Sequence, residues 1–374
     1  MKIHDWLKLN QRQSAAAMWT LVLIFSLLCW SCDGQVTCRD ENNGEKDWYI
    51  LYKAPVSLEY LYMDSDGVKT MKPAASPGGT TPAALYKPIN HPEGVLANTL
   101  RPLFTPIRSM PQTFGFISYS DQPPGCSAMK QFGHSKGVLM VETTGTGVWL
   151  LHSTPQFPFR RDPNNFWPVS GDRHAQIFMC VTFPYSQFTG IGKHLQYIGA
   201  FPFEHDIPLD FHQELKDAVN WVQPPPSDLF QVLISNAGLQ FRSIAKKMES
   251  EADGGDLYVT ISQRINSDVL VQTWGCQPHR DKSFCDINRH TVENIKSITT
   301  SLGRWRAAAD HSKWCVTKTP NGHVTCVADV NRAPTQYERH KECSSGQSEQ
   351  GTVGLHGDGG CLGMVSDFRF VVSS

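Results

Sequence analysis

The sequence is poor in several things that would have fixed its class at once. Beyond residue 34 it has no second long apolar run, so nothing after that point reads as a membrane-spanning helix. It has no Cys-x-x-Cys pair after the N-terminal segment, which argues against a zinc ribbon or a thioredoxin-like redox site. It has no Asn-x-Ser/Thr sequon, so N-glycosylation is not expected. It also lacks the basic surplus usual in nucleic-acid-binding proteins, with a formal net charge of −1 when histidine is neutral.

What is present begins with a leader. Lys2, Lys8 and Arg12 precede the apolar run WTLVLIFSLLCW at 19–30, and a cleavage site is expected after Gly34. That run is short for a bilayer span and suits the core of a signal peptide; an uncleaved signal anchor is the alternative that its length disfavours. The mature chain is therefore expected to be exported and soluble, with no stable membrane anchor. Of 11 cysteines, Cys29 and Cys32 belong to the leader. Cys38, Cys126, Cys180, Cys276, Cys285, Cys315, Cys326, Cys343 and Cys361 remain, an odd number. Export makes disulfides the expectation and leaves one thiol over. The 14 histidines compensate for the missing basic surplus, because protonating them carries the balance strongly positive in an acidic compartment.

The remaining pattern is strand-rich and in two parts. The runs at 47–53, 115–119, 137–141, 148–152 and 174–183 read as strands. Gly145 and Gly147 turn 137–141 back into 148–152 as a hairpin. Residues 64–94, rich in Pro, Gly, Ser and Thr, read as a long surface loop. Pro224, Pro225 and Pro226 mark a boundary between halves. The stretch 229–248 is expected to be helical at its C-terminal end, and 256–271 reads as a mixed run. A second hairpin is expected from 314–316, a turn at Asn321-Gly322, and 324–328. The organisation expected is thus a leader at 1–34, an N-terminal half at 35–223, a C-terminal half at 224–339 and a divergent tail at 340–374.

Each half carries His-Ser-Lys just before such a hairpin, as His134-Ser135-Lys136 and His311-Ser312-Lys313. Bare His-x-Lys carries little weight, since roughly 0.7 matches are expected by chance, but requiring serine in the middle lowers that to roughly 0.05. The repeated context looks like an internal duplication. The chemistry suits phosphodiester cleavage. One imidazole can attack phosphorus while the other protonates the leaving oxygen and then activates water. A lysine two residues on lies on the same strand face as its histidine and can hold a non-bridging phosphate oxygen. No metal or other cofactor is required. Neither a serine hydrolase at His152-Ser153, which lacks a nucleophile elbow, nor a metal nuclease at His205 and His212, which lack an acidic cluster, is supported.

The stretches DWYILYK, GHSKGVLMVE, GVWLLHSTPQFP, CVTFPYSQF, FHQEL, DHSKWCV and TCVADVNR, spread over most of the chain from Cys38 to Arg332, resemble the deoxyribonuclease II family of acid nucleases. The resemblance implies a mixed α/β (α+β) fold, a phospholipase-D-like pseudodimer whose two related halves each have a central sheet flanked by helices. It implies metal-independent cleavage of DNA at acid pH to 3′-phosphate and 5′-hydroxyl ends, on the DNA of dying or engulfed cells, in the lysosome or outside the cell. By this match His134, Lys136, His311 and Lys313 are the catalytic set. Asn331 orients lysine or phosphate, Gln156 lies in the comparable stretch of the first half, and Glu142 is a further candidate orienter. Cys38 pairs with Cys180 by the same analogy. Trp314 is expected in the core rather than as a stacking platform. After Arg332 the family pattern fades, which leaves the partners of Cys285 and Cys326 open. The partner expected is DNA, and the oligomeric state stays open, a dimer included. An inactive DNA-binding relative, or a phosphodiesterase of the same superfamily acting on another substrate, is the alternative.

Overall fold

The computed structural model describes residues 35–74, 86–126, 128, 132–225, 229–246, 255–285, 290–318, 324–337 and, as backbone, 341–347. The leader and its cleavage site lie outside the described residues. A short ribbon pairs Cys38–Arg39 (β1) with Glu45–Lys46 (β2). Eight strands follow: Trp48–Lys53 (β3), Tyr60–Asp64 (β4), Gly67–Met71 (β5), Phe114–Ser120 (β6), Lys136–Glu142 (β7), Thr146–His152 (β8), Gln176–Pro184 (β9) and Pro202–Asp206 (β10). They form one antiparallel sheet in the order β10-β6-β7-β8-β9-β3-β4-β5. A second sheet uses Leu229–Ile234 (β11), Gln240–Lys246 (β12), Val269–Gln272 (β13) and Val292–Asn294 (β14). Beyond the small hairpin Ser297–Thr300 (β15) and Gly303–Arg306 (β16), it adds Trp314–Thr317 (β17), Thr325–Ala328 (β18) and Lys341–Gln347 (β19). Its order is β11-β12-β19-β18-β17-β13-β14. The helices are few: Val95–Leu100 (α1), Phe188–Tyr197 (α2), Gln213–Val219 (α3), Leu257–Ile265 (α4) and Pro334–Tyr337 (α5). The fold is mixed α/β, as expected, and dominated by its two sheets.

The period-two alternation of β3 explains its central place. Trp48, Ile50 and Tyr52 enter a core shared by the inner faces of both sheets and by α2 and α3. That core also takes Leu139 and Trp149 from the first sheet and Phe241, Trp314 and Val327 from the second. Tyr49 and Leu51, pointing the other way, pack with Val138, Met140 and α1. The outer face of the second sheet is covered by α4. In β7 the glycine after the first motif is required by contact rather than by conformation. A Cβ on Gly137 would sit 2.4 Å from the Tyr119 hydroxyl, which accepts from Trp149 Nε1 at 3.0 Å.

Two local expectations are corrected and a third is resolved. Residues 229–246, the described part of the stretch 229–248, are not helical and form the hairpin β11–β12, turned at Gly238 with φ +87°. Its alternating apolar residues suit a strand, and Asn236-Ala237-Gly238 supplies the turn. Residues 64–94 are not wholly loop, since Gly67–Met71 pairs with β4. The mixed run at 256–271 divides into α4 and β13. Asp256 caps the helix by accepting from Tyr258 N at 2.9 Å, and Asn266 ends it in the left-handed region. The chain beyond 340 begins with β19, which sits between β12 and β18 in the middle of the second sheet. The expected turn at Asn321-Gly322 lies outside the described residues.

The Cys38–Cys180 disulfide is formed. Cys326 is also disulfide-bonded, whereas Cys285 is a free, exposed thiol. No helix among the described residues is long and apolar enough to cross a membrane.

Candidate active site

The first motif enters the site at the start of β7. Lys136 begins that strand, is buried, and forms an ion pair with Asp121, which directly follows β6. The β6–β7 register pairs Ser120 with Lys136 and so brings Asp121 to the lysine. His134 is fixed from the other half of the chain. Its Nδ1 donates to the backbone carbonyl of Asp329 at 2.8 Å, just past β18. The neutral tautomer that makes this bond carries its acceptor lone pair on Nε2. That nitrogen lies 3.7 Å from Asp121 Oδ2, too far for a strong hydrogen bond, and the carboxylate would attract it only with the ring protonated.

The second motif is held more rigidly. Asp310, completely buried, accepts from Ser312 N at 2.9 Å, from Trp305 Nε1 at 2.9 Å, from the Ser312 hydroxyl and from the hydroxyl of Tyr52 in the first sheet. Ser312 in turn accepts from Trp314 Nε1 at 3.0 Å. The backbone joins the two sheets at the same place. Ala175 N donates to Ala309 O at 2.9 Å and His311 N donates to Ala175 O at 3.0 Å. The His311 ring stacks face to face on His174, with centroids 3.8 Å apart and planes within 8°. Trp274 meets it edge-on at 4.9 Å. His311 Nε2 is buried and has no hydrogen-bond partner among the described residues.

The electrostatics follow from burying four basic groups together. Burial pushes the His311 pKa down to about 2, helped by Lys313, His174, Lys136 and His134. Burial pushes Lys313 down to about 7, with Lys136 adding to the effect and Asp121, Asp329 and Asp310 opposing it. Burial raises the Asp310 carboxyl, against hydrogen bonds from Ser312, Tyr52 and Trp305 that favour its anion. His134, Lys136, His311 and Lys313 thus occupy one electrostatic neighbourhood, although they come from different sheets. Two lysines and two imidazoles in one neighbourhood, with His311 Nε2 unpartnered among the described residues, suit a phosphate group.

The other candidates sit as follows. Asn331 is buried, and both ends of its amide are used on one neighbouring segment. Oδ1 accepts from Trp274 N at 3.0 Å and Nδ2 donates to Gln277 Oε1 at 3.0 Å. It therefore holds the segment that presents Trp274 to His311. Gln156 adopts a left-handed φ of 62° and donates its N–H to Gln122 O at 2.8 Å. Glu142 ends β7 at the edge away from the motif. His152 is buried, with its proton affinity held low by burial and by Lys136. Trp314 is core, as expected. Sequence reasoning did not single out Asp121, Asp329, Asp310, His174 or Trp274. Only Asp310, adjacent to its motif, had a local signal.

Comparisons with known proteins identify the family. The family model for deoxyribonuclease II matches residues 37–350. The chain is 31% identical over 351 residues to deoxyribonuclease-2-alpha of Bos taurus, covering 85% of this chain and 87% of that protein. It is 33% identical over 339 residues to deoxyribonuclease-2-beta of Mus musculus, covering 84% and 90%. It is 29% identical over 330 residues to plancitoxin-1 of Acanthaster planci, covering 81% and 85%. With the match running from β1 through β19 and spanning both His-Ser-Lys motifs, the chain belongs to the deoxyribonuclease II family.

Proposed function

We propose that this protein is an acid endonuclease that hydrolyses DNA without a metal, through its two His-Ser-Lys motifs, leaving 3′-phosphate and 5′-hydroxyl ends. The observation that carries the reading is the convergence of His134, Lys136, His311 and Lys313 on one buried basic site. Lys136 and Lys313 hold the non-bridging oxygens. His134 Nε2, its lone pair set by the bond to Asp329 O, attacks phosphorus. An N–P bond forms and the P–O5′ bond breaks, with the proton of His311 passing to the leaving oxygen. His311 then takes a proton from water, whose oxygen attacks phosphorus. The N–P bond breaks and the 3′-phosphate departs. Asn331 supports this set by holding Trp274 against His311.

Acidity enters twice. Lys313, pushed down to about 7, is a full cation only below neutrality. His311, depressed by burial and its basic neighbours, is neutral in the free protein and must gain a proton before it can act as an acid. A bound phosphodiester neutralises the lysines and favours that gain. We further propose that the leader routes the chain to the lysosome or out of the cell, where DNA of dying or engulfed cells is the substrate.

A plasmid-nicking assay at about pH 5 in EDTA tests the reading, that pH being one at which exposed histidine is charged. Cleavage is expected for the wild type and its loss for His134→Ala and His311→Ala. Binding without turnover by the wild type would mark an inactive relative. Turnover of a phospholipid instead of the plasmid would move the substrate to lipid.

A further inference from the structure

We propose that His174 is a positioning residue for His311, stacked on it so that the two imidazoles share a single proton over the acid range. The proposal rests on the catalytic role of His311 given above. Its basis is the near-parallel stack at 3.8 Å, built by the two backbone bonds that tie Ala175 to Ala309 and His311. Two charged imidazoles at that separation repel strongly. At an effective dielectric of 20, a unit charge near 4 Å lowers the neighbour's proton affinity roughly a thousandfold. One charged and one neutral ring attract through the face. The pair therefore titrates as a unit.

The surroundings decide which ring is charged. His311 faces Lys313, Lys136, His134 and His174 and is the more deeply desolvated of the two. His174 faces Arg173 and Lys53 and is partly exposed. Among the nearby carboxylates, Asp121 is taken by Lys136, and Asp310 is turned to Tyr52, Trp305 and Ser312. The free protein thus places the shared proton on His174. When a phosphodiester neutralises Lys136 and Lys313, the proton equilibrium of the pair shifts to His311, the ring that must deliver it. Trp274, edge-on to both rings at 6.5 Å from His174 and 4.9 Å from His311, closes the stack.

Two measurements test this. In the substrate-free wild type, histidine-selective NMR between pH 8 and pH 4 should show one proton taken up by the pair, on His174. Independent titration of both rings near the ordinary value of about 6.5 would overturn the proposal without touching the nuclease reading. In the second, the pH profile of kcat is compared for the wild type, His174→Phe and His174→Ala. Phe keeps a stacking face and removes the competing charge, so the alkaline-side limb should move up by about half a unit or more. Ala removes both, so it should show the same upward shift and a lower kcat than Phe. A limb that stays in place in both variants rejects the role of His174, while His311→Ala remains the separate test of the chemistry.

Discussion

The two His-Ser-Lys motifs share a sequence and differ in what surrounds it. In the first, the lysine is neutralised by Asp121 and the Ser135 hydroxyl is buried with no hydrogen-bond partner among the described residues. In the second, the serine is locked between Asp310 and Trp314, and the lysine's proton affinity is lowered chiefly by its burial. The first histidine is fixed by a hydrogen bond from its ring, the second by stacking and by the backbone. A duplicated motif thus supplies two chemically different tools. One is a histidine with a set tautomer beside a carboxylate, suited to attack. The other is a proton-poor histidine in a rigid cradle, suited to give up a proton once it has been loaded.

The comparison can be broken most sharply through activity. His134→Ala and His311→Ala should each lower kcat by about a thousandfold or more, and the double variant should fall little further, since the two act in one reaction. Additive losses in the plasmid assay would mean that the histidines act separately.

Lys313→Met separates function from stability. Removing an oxyanion clamp should lower kcat by about a hundredfold or more. Because the folded-state pKa of Lys313 lies near 7, below its ordinary 10.5, the folded protein binds this proton more weakly than the unfolded chain. The lysine's destabilising effect therefore grows as pH falls from about 10.5 to 7 and is fully present below 7. The Met variant should melt higher than the wild type at pH 5, and a lower melting temperature there would refute the contrast with Lys136.

His311 obeys the same sign. With its folded pKa near 2 against 6.5, the stability present above pH 6.5 declines as pH falls through the interval between them. His311→Gln should therefore flatten the melting temperature against pH between 7 and 4. An unchanged slope would place the acid sensitivity elsewhere.

The smallest effects concern the frame. Asp310→Asn should destabilise by about 2–4 kcal/mol in urea unfolding, because the Asn amide NH₂ meets donors where the carboxylate accepted. Ser312→Ala should cost about 1–2 kcal/mol, since Trp314 Nε1 loses its acceptor, whereas Ser135→Ala should stay within about 0.5 kcal/mol. Equal effects at the two serines would erase the structural asymmetry between the motifs.

Much of this was legible in the residues and some of it was not. The all-buried β3, the hairpin β7–β8 and the strand β17 follow from short apolar and aromatic runs bounded by turn residues, because such runs pack only as interior strands. The C-terminal part of 229–248 reads as helical, whereas its described residues form the second strand of the hairpin β11–β12, whose turn Asn236-Ala237-Gly238 marks. Its middle-of-sheet neighbour β19 comes from beyond residue 340, a stretch that reads from the sequence as divergent tail although the family match includes it. The tie of His134 to Asp329 spans 195 positions, and no local pattern encodes it.

The sequence by itself determined the chemical equipment. Two His-Ser-Lys motifs at strand entries, rarely produced by chance, already pointed to phosphoryl chemistry, since imidazole can attack or protonate and ammonium can hold a phosphate oxygen. Tertiary structure alone decided what those groups are worth. Proton affinity depends on desolvation and on charges a few ångströms away. The neighbours that set it (Asp121, Asp329, His174 and Trp274) reach the motifs only when the two sheets close on their common core.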